Sequence, residues 1–174
     1  DWKTTPLARV RKAVLGKNNI PAGKFVVSVT GVRKSEFIDA TWKEIDFAAA
    51  RWTIPAERMK AAKEHVIPLS EPALAVLQRL KAETKEGEFL FPGGKKNTPL
   101  SNMACLALLK RMGRGDLTVH GFRSTFRDWA GEATAHPREV IEHAMSHQLK
   151  DKAEAAYQRG SLLERRRVLM ADWA

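Results

Sequence analysis

Cysteine is nearly absent from this sequence: Cys105 stands alone among 174 residues. A single thiol excludes an intrachain disulfide framework and an all-cysteine zinc site. Long apolar runs are absent too, and nothing approaches the ~18 consecutive residues that a membrane-spanning helix needs. The basic N-terminal stretch leads into no apolar segment of the signal-peptide kind. Acidic residues are in short supply, 20 against 30 Lys plus Arg, which leaves a formal net charge of +10. Tyrosine is the scarcest aromatic, with only Tyr157 against five Trp and seven Phe. What is present is a composition 44% hydrophobic, enough for a folded domain with a basic face and too much for a disordered tail. The length fits one domain able to bury most of its apolar surface without staples. The expected partner is a polyanion, nucleic acid ahead of an anionic membrane. The sequence opens at Asp1 rather than methionine, as expected of a piece of a larger chain.

Local patterns divide the chain into a small sheet followed by helices. Residues 1–23 mix Lys, Arg, Pro and Gly, with a short helix expected at 7–15. Phe25-Val26-Val27-Ser28-Val29 has strand propensity and is broken by Thr30-Gly31. Two helical turns fit Arg33–Ala40. Strands are expected at Trp42–Phe47, Arg51–Pro55 and His65–Leu69, forming a three-stranded antiparallel sheet. Ser70 is placed to cap a helix with Pro72 in its first turn and Leu74, Leu77 and Leu80 at helical spacing. Glu88–Pro92 reads as extended and leads into the basic loop Gly93–Pro99. Ser101 stands where it can cap a further helix through Met112. Helices then follow at His120–Glu132, Pro137–Met145, Lys152–Tyr157 and Ser161–Trp173. The class is α+β, mostly helical with one small sheet. The expected division is an N-terminal extension or linker, 1–23, and one domain, 24–174.

Basic and polar residues gather in a few segments: Thr30-Gly31-Val32-Arg33-Lys34-Ser35-Glu36, then Glu57-Arg58-Met59-Lys60, then His120-Gly121-Phe122-Arg123, then Met145-Ser146-His147, then Ala155-Ala156-Tyr157-Gln158-Arg159-Gly160. Each alone has an ordinary reading. Arg33 and Lys60 fit a solvated face, His120 and Arg123 at i and i+3 share one side of any helix, His147 fits a helix end or a partly buried site, and Tyr157 fits a core edge with its hydroxyl in water. In this order the motifs resemble the catalytic domain of the tyrosine recombinases, the phage-integrase family. Phrases such as ATWKEIDF, WTIPAERMK, HVIPLS and YQRGSLLERRR are similar to the prophage-type bacterial integrases. The resemblance covers roughly residues 28–174.

The resemblance implies a site-specific recombinase that cuts and rejoins DNA during prophage integration or excision. It assigns catalytic roles to Arg33, Lys60, His120, Arg123, His147 and Tyr157, with Glu36 supporting Arg33. Those residue types suit the chemistry. Phosphodiester attack builds negative charge on equatorial oxygens, which two arginines can clamp while remaining charged. A tyrosine hydroxyl becomes a nucleophile once a base or nearby cations help it. Lys60 would protonate the leaving 5′ oxygen, His120 would assist proton transfer, and His147 would donate to the phosphate. No metal or other cofactor is implied, and no carboxylate cluster suits magnesium. Lys63, Lys95, Lys96, Arg111 and Arg114 are candidate DNA-phosphate contacts. Implied partners are double-stranded attachment sites, a tetramer formed on DNA through the C-terminal helix, and accessory DNA-bending or excision proteins. The implied location is the bacterial cytoplasm, at the nucleoid. Ser161–Trp173 is amphipathic, so it either packs on a neighbouring protomer or folds back on its own domain.

Three features depart from the family pattern. The apolar helix that usually precedes T-G-x-R is replaced by β-branched residues in Gly23–Thr30. His143-Ala144-Met145-Ser146 stands where many members carry leucine–glycine before the histidine. The preceding DNA-binding domains are not represented in 1–23. Two rival readings follow: a prophage remnant that binds DNA without cutting it, and a zinc hydrolase using His143 and His147 at i and i+4. The zinc reading lacks the glutamate after the first histidine, where Ala144 stands.

Overall fold

The computed structural model describes residues 30–84, 87–147 and 162–174. The expected helix at 7–15, the strand at 25–29 and the helix at 152–157 with Tyr157 lie outside the described residues. Thr30, where the sequence reads a break, is helical. Gly31 follows with φ +66°, the left-handed conformation that closes a helix and that glycine adopts without penalty.

Helix α1 spans Lys34–Ile38 and buries Glu36, Phe37 and Ile38. The strand expected at Trp42–Phe47 is mostly a turn. Trp42–Glu44 forms a 3-10 turn because the Glu44 carboxylate accepts from the Thr41 amide and hydroxyl, both at 3.2 Å. Only Ile45–Asp46 remains as β1. Strands β2 (Arg51–Ile54) and β3 (His65–Pro68) complete an antiparallel sheet in the order β1-β2-β3. Its register pairs Ile45 with Trp52 and Trp52 with Ile67, so these three buried side chains form one row facing the core.

Helix α2 (Glu71–Glu83) carries Pro72 in its first turn, as expected. Ser70 occupies the cap position, but its hydroxyl is buried and makes no cap bond. Ser101 also fails as a cap: its carbonyl, not its hydroxyl, holds Ala104, and α3 begins at Ala104 and ends at Arg111. Helix α4 (Val119–Ala133) is capped by Thr118, whose hydroxyl accepts from the Gly121 amide at 3.0 Å. Helices α5 (Arg138–Ala144) and α6 (Leu163–Trp173) follow.

Two main apolar clusters form. One surrounds the sheet, with Val32, Phe37, Trp52, Ile54, Ile67, Leu77 and Leu90. The other lies among α4, α5 and α6, where Phe126, Trp129 and Trp173 meet with ring centroids 4.9–6.2 Å apart. The Gly31–Arg33 segment runs between them. Val32 belongs to the first cluster, while a Cβ on Gly31 would stand 3.3 Å from Phe126 of the second. The apolar face of α6 is turned onto its own domain: Leu169, Met170 and Trp173 are buried, and Val168 faces outward. Among the described residues no helix is long and apolar enough to cross a membrane.

Candidate active site

Four of the residues singled out from sequence converge on the seam between the clusters. The tight turn at Gly31 delivers Arg33 to the start of α1. There the Glu36 carboxylate reaches back, accepting from the Arg33 amide and from Arg33 Nη1, each at 2.7 Å. The carboxylate is almost fully buried, whereas the Arg33 side chain keeps 31% of its exposure. The guanidinium is therefore oriented from below and open above.

Arg123 lies one turn into α4 beyond His120 and is buried. Its Nη1 donates to the Gly31 carbonyl at 2.5 Å, and its Nη2 donates to the Met145 carbonyl at the end of α5. The same Nη2 stands 3.1 Å from His147 Nε2. Burial first, and the Arg33 charge second, lower the Arg123 pKa to about 10 against the pull of Glu36 and Glu142. It stays charged through the neutral range, and two cations are held side by side.

His147 follows Ser146, which has φ 51°, so the chain turns sharply after α5. Its Nδ1 lies 2.6 Å from Glu142 Oε2, and Arg127 contacts the other carboxylate oxygen at 3.4 Å. Burial alone would raise the Glu142 carboxyl; the His147 hydrogen bond and the charges of His147 and Arg127 hold it below the usual carboxylate range. A carboxylate only accepts, so Nδ1 donates to Glu142, while Nε2 faces the Arg123 guanidinium. With Nε2 facing a guanidinium, His147 is poorly placed as a zinc ligand. Among the described residues no group of three potential ligands forms.

The other predicted residues lie further out. Lys60 is exposed in the β2–β3 connection, and His120 is exposed in the first turn of α4. Lys63, Lys95, Lys96 and Arg111 are exposed. Lys95 and Lys96 sit in a turn closed by Gly93 N–H to the Thr98 carbonyl at 2.7 Å. Arg114 is half-committed: Asp116 holds it through two bonds of 2.9 and 2.7 Å. Tyr157 lies outside the described residues.

Sequence reasoning missed several residues that build this site. Glu142 orients His147, and its only signal is a carboxylate one turn and a half before the histidine. Arg58, two residues before Lys60, donates to the Glu36 carbonyl and the Glu44 carboxylate. His65, the first residue of β3, donates to the Ala144 carbonyl; burial, with Arg166 and Arg123 nearby, lowers its pKa to about 4. Arg166 on α6 is buried and donates to the Val66 carbonyl at 2.8 Å, and burial lowers its pKa to about 10.

Comparison with known proteins places this geometry. Residues 24–161 match the phage integrase family. The chain is 42% identical over 148 residues to prophage integrase IntA of Escherichia coli, covering 84% of this chain and 36% of that protein. It is 35% identical over 163 residues to the integrase of Enterobacteria phage P4, covering 84% and 37%. The chain thus spans about a third of the length of these relatives. In fold it is similar to the integrase from mycobacterium phage Brujita, with a TM-score of 0.72 at 15% identity over 98% of this chain and 58% of that one. The lambda integrase (75-356) dimer bound to a COC′ core site gives a TM-score of 0.59 at 19% identity, covering 90% and 59%. With a family match over most of its length and a relative at 42% identity, the chain belongs to the phage integrase family, as a tyrosine recombinase catalytic domain of the prophage type.

Proposed function

We propose that residues 24–174 form the catalytic domain of a site-specific recombinase that cuts and rejoins duplex DNA through a 3′-phosphotyrosine at Tyr157. The observation that carries this reading is the pairing of Arg33 with buried Arg123 beside His147. The two guanidiniums repel each other against the pull of Glu36 and Glu142, and the open side of Arg33 lets a scissile phosphate join them.

In the proposed reaction the Tyr157 hydroxyl loses its proton to a nearby base, with His120 assisting, and its oxygen bonds to phosphorus. The bond from phosphorus to the 5′ oxygen breaks, and that oxygen takes a proton from the Lys60 ammonium. Arg33 offers free N–H groups to the equatorial oxygens. Arg123 already serves the Gly31 and Met145 carbonyls, so the phosphate draws on its remaining donors and competes with His147. A His147 released in this way, and protonated, can donate to the phosphate. Reversal with a different 5′ hydroxyl joins new partners, and neither step consumes a cofactor.

Lys63, Lys95, Lys96 and Arg111 add phosphate contacts along the duplex, and Arg114 adds less because Asp116 neutralises it. Residues 1–23 serve as a linker. Tetramer assembly on attachment sites would use the outer face of α6, around Val168, because the inner face is already packed. Accessory DNA-bending or excision proteins would join that assembly, and the work belongs at the nucleoid in the cytoplasm.

The test is incubation with a nicked duplex carrying the core site, in EDTA. The core site is first identified by sequencing duplexes that the protein captures covalently from a random pool. A covalent adduct with the unsubstituted protein, and none with Tyr157→Phe, is expected. DNA binding without any adduct would identify an impaired remnant instead, and loss of the adduct in EDTA would point to a metal.

A further inference from the structure

We propose that Arg58 is the positioning residue that holds the Lys60 loop in register with Arg33. The proposal rests on the assignment of Lys60 as general acid above. After β2 the chain makes a 3-10 turn at Ala56–Arg58. Met59 is buried, and its amide donates to the Ala56 carbonyl at 3.1 Å. From Lys60 to Glu64 the chain is exposed. The loop is therefore anchored through Met59, and from Lys60 onward it is exposed and closed by a turn in which the Ala62 amide donates to the Met59 carbonyl at 3.0 Å.

The Arg58 guanidinium supplies the sideways anchor. Nη2 donates to the main-chain carbonyl of Glu36, and Nη1 donates to Glu44 Oε1. Glu36 is the residue whose carboxylate fixes Arg33. Glu44 is itself fixed, since its other oxygen accepts from Trp52 Nε1 at 2.9 Å and its first oxygen from Thr41. Both side chains of the Arg58–Glu44 pair are largely shielded, at 19% and 8% exposure, so solvent screens this pair less than a surface one. One planar side chain thus spans from the turn before Lys60 to the residue that orients the phosphate-binding arginine. Lysine, a point charge on a flexible stem, does not reproduce a fork with two fixed ends.

A merely structural role and a positioning role differ in how a substitution responds to the leaving group. Replacing the bridging 5′ oxygen of the scissile phosphate by sulfur gives a thiolate that departs without a proton, so the step that needs Lys60 is bypassed. Single-turnover cleavage is measured on two nicked core-site duplexes that differ only in that atom. Arg58→Met is expected to slow the oxygen substrate by about a hundredfold and to cut the sulfur substrate at close to the unsubstituted rate. Lys60→Ala is expected to show the same pattern. Arg58→Lys keeps a cation beside Glu44 and so keeps the fold, checked by its melting temperature, and is expected to share the selective defect. Equal slowing of both substrates by both Arg58 variants, or no slowing by either, would overturn the proposal. If sulfur rescues Lys60→Ala but neither Arg58 variant, only the role of Arg58 falls. If sulfur fails to rescue Lys60→Ala, the general-acid assignment falls and this proposal falls with it.

Discussion

A buried guanidinium needs acceptors for its N–H groups, and Arg123 finds them in two main-chain carbonyls from distant segments, Gly31 and Met145. The catalytic candidate is therefore also a clasp, and its position depends on the residues that shape those segments. Glu142 shows the same logic one bond further out. It fixes the orientation of His147 through the bond to Nδ1. Replacing Glu142 with Gln keeps an acceptor but loses the charge. The expected result is a cleavage rate about tenfold lower with a modest fall in melting temperature, read by single-turnover adduct formation and thermal unfolding. These supporting residues were not legible in the sequence. Arg33, Glu36, Arg123 and His147 sit in motifs with fixed spacing, whereas Glu142, Arg58, His65 and Arg166 act through contacts across 5 to 100 positions, which spacing alone does not encode.

Among the elements, β2, β3 and the longer helices follow their apolar periodicity, which is why the sequence reads them within a residue or two. The failures are local. Trp42–Glu44 has strand propensity but turns, because Glu44 caps Thr41 while also serving Trp52 and Arg58. Ser70 and Ser101 are good capping types at plausible positions, yet Thr118 is the residue whose side chain makes the bond. The sequence leaves helix α6 open between two uses, and the structure turns Leu169, Met170 and Trp173 inward, with Trp173 against Phe126 and Trp129. Trp173→Ala should accordingly cost about 3 kcal/mol or more of domain stability, measured by urea unfolding of the DNA-free protein. Unchanged stability would mean that the helix does not dock on its own domain.

For the whole molecule, the sheet and the helical layer are joined by polar ties as well as by packing. His65 on β3 bonds the α5 terminus and faces Arg166 of α6, Glu36 of α1 and Arg123 of α4. Burial and the two arginines keep it neutral, with a pKa near 4 against an ordinary 6.5. The unfolded chain then takes up the proton first. The stability from neutral His65 is complete above pH 6.5 and is lost as pH falls toward 4, by at most about 3 kcal/mol. Glu142, with its lowered pKa, adds a loss of the same sign at lower pH. Unfolding free energy measured between pH 7.5 and 4 should fall on acidification, and His65→Gln should flatten the curve. The net charge of +10 favours an anionic partner, and the exposed side of Arg33 beside Arg123 is where the proposed anion would sit.

In the proposed reaction this anion is a DNA phosphate attacked by the chain's only tyrosine. The most direct measurement is mass spectrometry of the adduct trapped on a nicked core-site duplex, after digestion with nuclease and trypsin. The peptide of residues 153–159 should carry a nucleotide through its 3′ phosphate on Tyr157. A nucleotide found on any other residue, or an adduct that survives Tyr157→Phe, would contradict it.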